Sequence, residues 1–179
     1  MQVKVRKHNS SPSTIQFHIF QQAIFFRANL KAGTPLGVEA QKFMDAGELV
    51  PDSVTNEMVK DRLTHADTAN GFLLDGFPRN VAQAQVLSAV LADKKMPLDA
   101  VLELQIEDSE IISRLNNRRS IEARADDAEE VIVHRLKVYH EQTAPIIDYY
   151  RTEGSLITIS ATGAVDEITK RAIAALGNK

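Results

Sequence analysis

The chain has no cysteine, no surplus of positive charge and no apolar run long enough to span a bilayer. Without cysteine there can be no disulfide and no cysteine-ligated zinc. A formal net charge of -3 argues against a nucleic-acid binder that works by phosphate neutralisation. The N-terminus starts basic but lacks the apolar stretch and small-residue cleavage site of a secretory leader, so a soluble cytoplasmic protein with no membrane partner is expected. Five histidines are scattered without i, i+4 spacing and suggest no metal cage. What is present, 179 residues with 44% hydrophobic content, suits one compact domain with a real core and room for small insertions.

The stretch that organises the rest is Asp75-Gly76-Phe77-Pro78-Arg79, which succeeds the apolar run Phe72-Leu73-Leu74 and precedes a helix starting near Asn80. A strand that runs into such a turn brings a carboxylate, a free backbone N–H and a guanidinium to one sheet edge, an arrangement suited to phosphate. In open α/β sheets, ligands sit at the carboxyl ends of strands. Taken alone, the pentapeptide fits a surface turn with an ordinary ion pair equally well.

With Gln83 four residues after Arg79, the segment resembles the nucleoside-monophosphate kinases, and the adenylate kinases in particular. The resemblance implies that Gly76, Phe77, Pro78, Arg79 and Gln83 hold AMP and that the Phe77–Pro78 bond is cis.

Residues 1–26 read as foreign to the remainder of the chain: Phe17, Phe20, Phe25 and Phe26 lie among Gln and Ser with no sustained period. A disordered N-terminal arm is the plain explanation. The genetic code offers a sharper one. If each codon takes the third base of one residue and the first two of the next, permissible codons for Met1 to His8 yield Ala-Gly-Lys-Gly-Thr-Gln-Ala, the core of a phosphate-binding P-loop. In the same frame Gln16 to Phe26 yields Ile-Pro-His-Ile-Ser-Thr-Gly-Asp-Ile-Phe, which resembles the start of the AMP site in adenylate kinases. The expectation is one extra base in a T-rich run at Phe25 and Phe26, with Met1 an internal start.

From Arg27 the chain is well formed. Thr34 can cap a helix with Pro35 at its first position and Leu36, Ala40, Phe43 and Met44 as its apolar stripe, stopped by Gly47. Asp52 is expected to cap the next helix, with Val54, Met58 and Leu63 inward. Asn70-Gly71 reads as a turn, 72–74 as a buried strand, 81–91 as a helix and 101–106 as a strand. Asp108 is expected to cap a helix bearing Ile111, Ile112 and Leu115. Residues 128–150 read as a long helical region kinked at Pro145, 156–159 as the last strand, and 165–176 as an amphipathic helix. Alternating strands and helices argue for a parallel sheet covered on both faces.

The fold expected is therefore α/β, a P-loop NTPase-like three-layer sandwich with a parallel sheet, its first strand and P-loop missing or scrambled in 1–26 and a kinase domain over 27–179. Resemblance assigns an AMP-binding insert to about 27–50, with Arg27 on the AMP phosphate and the backbone around Glu48, Leu49 and Val50 on the adenine. The basic segment with Arg114, Arg118, Arg119 and Arg124 fits a solvated loop on its own. By resemblance it is a short lid over about 117–126, lacking the long form's hairpin and zinc ligands. Arg118 would then touch ATP, Arg124 and Arg135 would bridge to AMP and the transferred phosphoryl group, and Gly163 would lie beside the ATP adenine. The implied reaction is ATP plus AMP giving two ADP in a monomer, with Mg2+ carried chiefly by the phosphates and held through water by Asp75. A UMP or CMP kinase and a non-catalytic nucleotide-binding remnant are the alternatives.

Overall fold

The computed structural model describes residues 2–5, 18–21, 35–46, 48, 50–122 and 129–177. The termini expected for the first helix, Thr34 and Gly47, lie outside them. Five strands, β1 (Gln2–Val5), β2 (His18–Gln21), β3 (Phe72–Asp75), β4 (Ala100–Gln105) and β5 (Leu156–Ser160), form one sheet in the order β2-β3-β1-β4-β5. The helices are α1 (Pro35–Ala46), α2 (Asp52–Arg62), α3 (Val81–Asp93), α4 (Asp108–Glu122), α5 (Glu129–Val138), α6 (Pro145–Thr152) and α7 (Val165–Gly177), with a 3-10 turn at Ala66–Asn70 and a π segment at Tyr139–Thr143.

The expected parallel pairing holds for β2 with β3 and for β4 with β5, which runs in register from Val101 opposite Leu156 to Gln105 opposite Ser160. The central strand differs. β1 lies between β3 and β4 and is antiparallel to both, Val3 facing Asp75 on one side and Leu102 on the other. Two neighbouring strands leave backbone N–H and C=O groups that need partners, and a short alternating segment satisfies them in either direction. Both β1 and β2 fall inside the segment whose sequence shows no sustained period.

Two apolar clusters cover one side of the sheet. Val59 and Leu63 of α2, Leu87 and Leu91 of α3 and Phe77 close over Phe72 and Leu74 of β3. Ala84 of α3 and Ile146 and Tyr150 of α6 close over Val101 of β4. α3 therefore lies between them and serves both. A third, smaller cluster of Ala40, Val50 and Met58, backed by Phe43, Met44 and Val54, joins α1 to the start of α2. The pair Tyr149–Tyr150 packs edge to face at 5.0 Å, with Tyr150 buried and Tyr149 at the rim.

Three expectations about helix ends need correction or refinement. Asp52 and Asp108 are the first helical residues, not caps, and both carboxylates are engaged elsewhere: Asp108 accepts from or pairs with His140 Nε2 at 2.8 Å. Asp52 reaches α3. At Pro145, which has no N–H, the long helix does not merely bend. It widens, with Ala144 N–H bonding Tyr139 O at 2.8 Å across a π turn before α6 begins. Finally, α4 continues as helix to Glu122, so the first half of the segment expected as a lid, 117–122, is helical; 123–128 lie outside the described residues.

Candidate active site

Because β1 is antiparallel to both of its neighbours, β3 and β4 run the same way, and β2 and β5 run with them. The carboxyl ends at Asp75, Gln105 and Ser160 therefore share one edge. There β3 turns through Gly76, whose φ of 81° suits a residue without Cβ, into a cis Phe77–Pro78 bond. Phe77, 1% exposed, fixes the turn to the core. Asp75 is half-buried at the strand end.

Arg79 is held at three points. Its N–H donates to Gln83 Oε1 at 2.7 Å, its Nε–H to Gly76 O at 2.8 Å, and its carbonyl accepts from Thr143 Oγ1 at 2.7 Å. Thr143 belongs to the π segment, so the widened helix reaches the turn. Burial pushes the Arg79 guanidinium below its ordinary pKa; the positive charge of Arg135 on α5 adds to this, and Asp75 opposes it. A site that crowds two cations and desolvates one of them is prepared for an anion.

Gln83 is fully buried and engaged at both ends of its amide: Oε1 accepts from Arg79, and Nε2 donates to Asp52 Oδ1 at 2.7 Å. Asn80 caps α3 by accepting from Gln83 N–H at 2.8 Å, and its Nδ2 donates to both Asp52 oxygens at 3.0 and 3.2 Å. Asp52, read from the sequence as a cap, is thus the carboxylate that ties α2 to α3 and the turn before it. Nothing local signals this, since its partners lie 28 and 31 residues away.

The other residues singled out from the sequence can be followed only in part. Glu48 is exposed, with its N–H on Phe43 O at 2.9 Å and its carboxylate 2.7 Å from His134 Nε2, one residue before Arg135. Val50 is buried, and its carbonyl accepts from Thr55 Oγ1 at 3.3 Å. Arg27, Leu49 and Arg124 lie outside the described residues, as does the side chain of Arg118, whose backbone is in α4. Gly163 comes after β5 with φ 99°, and a Cβ there would lie 2.6 Å from Glu167 Oε2. Its loop is gripped by two arginines: Arg171, which the sequence reading passed over, and Arg114, which it grouped with the basic segment. Arg114 Nη2 donates to Ala161 O at 3.0 Å, and Arg171 donates to the carbonyls of Ser160 and Thr162. Arg114 therefore serves the loop after β5 and not the lid.

Among the described residues no group of three or more His, Asp or Glu side chains could hold a metal ion. The single carboxylate at the end of β3 fits an ion brought in largely by phosphate oxygens, not one bound in a protein cage. No helix is long and apolar enough to cross a membrane, among the same residues.

Comparison with known proteins agrees with this geometry. Residues 14–155 match the model of the family described as adenylate kinase. The match begins after β1. The chain is 53% identical over 154 residues to the adenylate kinase of Thermobifida fusca (strain YX), which covers 86% of this chain and 82% of that one. It is 52% identical over 151 residues to the adenylate kinase of Kocuria rhizophila, covering 84% and 80%. The cis-proline turn with its half-buried arginine, the β-α alternation around it and these likenesses together place the chain in the adenylate kinase family.

Proposed function

We propose that the chain descends from an enzyme for reversible phosphoryl transfer, ATP plus AMP giving two ADP, and that it keeps the AMP half of that site. The observation that supports this best is Arg79, pinned at its N–H, Nε and carbonyl, with the charges of Arg135 and Asp75 both felt at its guanidinium. In this reading Arg27, Arg79, Arg124 and Arg135 neutralise the AMP phosphate and the group in transfer. The backbone at Glu48, Leu49 and Val50 faces the adenine, and Gln83 and the turn 76–78 belong to the same AMP half. Arg118 and Gly163 take ATP. Mg2+, with no zinc, would supply charge neutralisation on the phosphates, and Asp75 would orient it through water. The protein acts as a cytoplasmic monomer. Positioning and neutralisation are the chemistry such a transfer needs, so no covalent nucleophile is required.

The same reading makes the chain as it stands a poor catalyst. β1 runs backwards, so its end at Val5, opposite Leu73 and Ala100, lies at the sheet edge away from Asp75. A phosphate loop leaving that strand would start at the wrong edge. Without the loop's N–H groups and lysine, loss of transition-state stabilisation is on the order of several kcal/mol. Two measurements test the proposal together: ADP formation from ATP and AMP, and the DNA sequence from upstream of Met1 through Arg27. The reading expects AMP binding with little turnover from this chain. It also expects one base fewer in the run at Phe25 and Phe26 in an active parent frame. Tighter binding of CMP or UMP than AMP would replace it with the pyrimidine-nucleotide reading.

A further inference from the structure

We infer that Asp52 is a positioning residue for the AMP half of the site, acting through the orientation of the Gln83 amide. This rests on the functional reading above. An amide side chain can be turned either way round, and its neighbours decide which. Here both neighbours agree. The Asp52 carboxylate can only accept, so it takes the Gln83 Nε2 hydrogen at 2.7 Å; the Arg79 N–H can only donate, so it needs Gln83 Oε1, which lies 2.7 Å away. Turning the amide would set carbonyl against carboxylate and NH2 against N–H in a side chain that is fully buried. The chain Asp52–Gln83–Arg79 therefore has one polarity, fixed from α2.

The same carboxylate fixes Asn80. Its two oxygens accept from Asn80 Nδ2, leaving Asn80 Oδ1 to cap α3 on the Gln83 N–H. One residue at the start of α2 thus sets two amides, one capping the helix and one holding the backbone of the phosphate-facing arginine. It couples α2 to the turn that carries Arg79.

Two substitutions separate this role from a general effect of a negative charge at a helix N-terminus. Asp52→Ala removes the acceptor and the charge, while Asp52→Asn removes the charge but keeps Oδ1, which can accept from both Gln83 Nε2 and Asn80 Nδ2. Isothermal titration with AMP of the full-length chain is the first readout, and the hydrogen-exchange rate of the Arg79 amide is the second. Asp52→Ala is expected to weaken AMP on the order of tenfold and to speed exchange at Arg79, while Asp52→Asn stays within about threefold on both. Equal losses in the two variants would mean that charge alone matters, and would overturn the inference, as would an Ala variant that binds and exchanges like the wild type. A failure of the functional reading looks different: the unsubstituted chain itself would bind no AMP, and the inference would fall with it. Should the Ala variant not fold, Asp52→Asn still decides through Arg79 exchange, because a change there beyond about threefold contradicts the acceptor argument.

Discussion

Replacing Arg79 by lysine tests how the turn meets a phosphate. A guanidinium has five N–H donors in a rigid fork. One of them, on Nε, is spent on Gly76 O at 2.8 Å. Among the described residues no hydrogen bond ties up either terminal nitrogen. Lysine puts its donors on one nitrogen, so reaching the Gly76 carbonyl and bridging two phosphate oxygens compete. The variant loses one charge-assisted bond, about 1.5–3 kcal/mol, which corresponds to roughly 10- to 150-fold weaker AMP binding. Arg79→Lys should also change the pH profile. Burial and Arg135 already push the guanidinium down, yet an arginine stays charged throughout the working range. A lysine starts near pKa ~10.4 and meets the same pressures. Its AMP affinity should therefore fall as pH rises through the alkaline range, while the wild type stays flat. Titration calorimetry from neutral to alkaline pH measures both effects. A lysine variant with unchanged affinity and a flat profile would refute the claim that the fork, fixed through Nε, recognises the phosphate.

The packing carries two further expected outcomes. Leu87, buried in the cluster shared by α2, α3 and β3, should cost about 2–5 kcal/mol when cut to alanine, read from the urea midpoint. Burial first, then the neighbouring Tyr149 and Glu153, raises the Tyr150 phenol above its ordinary value. The folded chain then holds a proton that the unfolded chain releases above about pH 10, so stability falls as pH rises there, by up to about 1.4 kcal/mol per pH unit for this group. In Tyr150→Phe that contribution to the slope should vanish, and urea melts of both proteins between about pH 9 and 11 compare them.

Much of the molecule is local and was legible. The pentapeptide 75–79 carries its own turn, because Gly76 tolerates positive φ and proline restricts the backbone before Arg79. The cis bond that the family resemblance implied is present. Alternating apolar runs and helical stripes located β3, β4, β5 and the cores of α1, α2 and α3, since burial of one face imposes those periods. What failed was local reasoning about groups whose partners are distant. Asp52 and Asp108 occupy positions where a cap is the obvious guess, and only tertiary contact with Gln83, Asn80 and His140 reassigns their carboxylates. Pro145 announces a disturbed helix. That the disturbance becomes a π turn, delivering the Thr143 hydroxyl to the Arg79 carbonyl, depends on a turn 64 residues earlier.

By itself the sequence determined the alternation of strand and helix, the cis-proline turn with its arginine, and the break in character before Arg27. Each of these is written in periodicity or in backbone restrictions, which need no distant partner. The tertiary structure decided the direction of β1, because a four-residue strand of period two presents the same alternation read either way and only its neighbours' ladders choose. It also decided which acceptor holds Gln83, since an amide has no intrinsic orientation until a carboxylate on one side and an N–H on the other impose one.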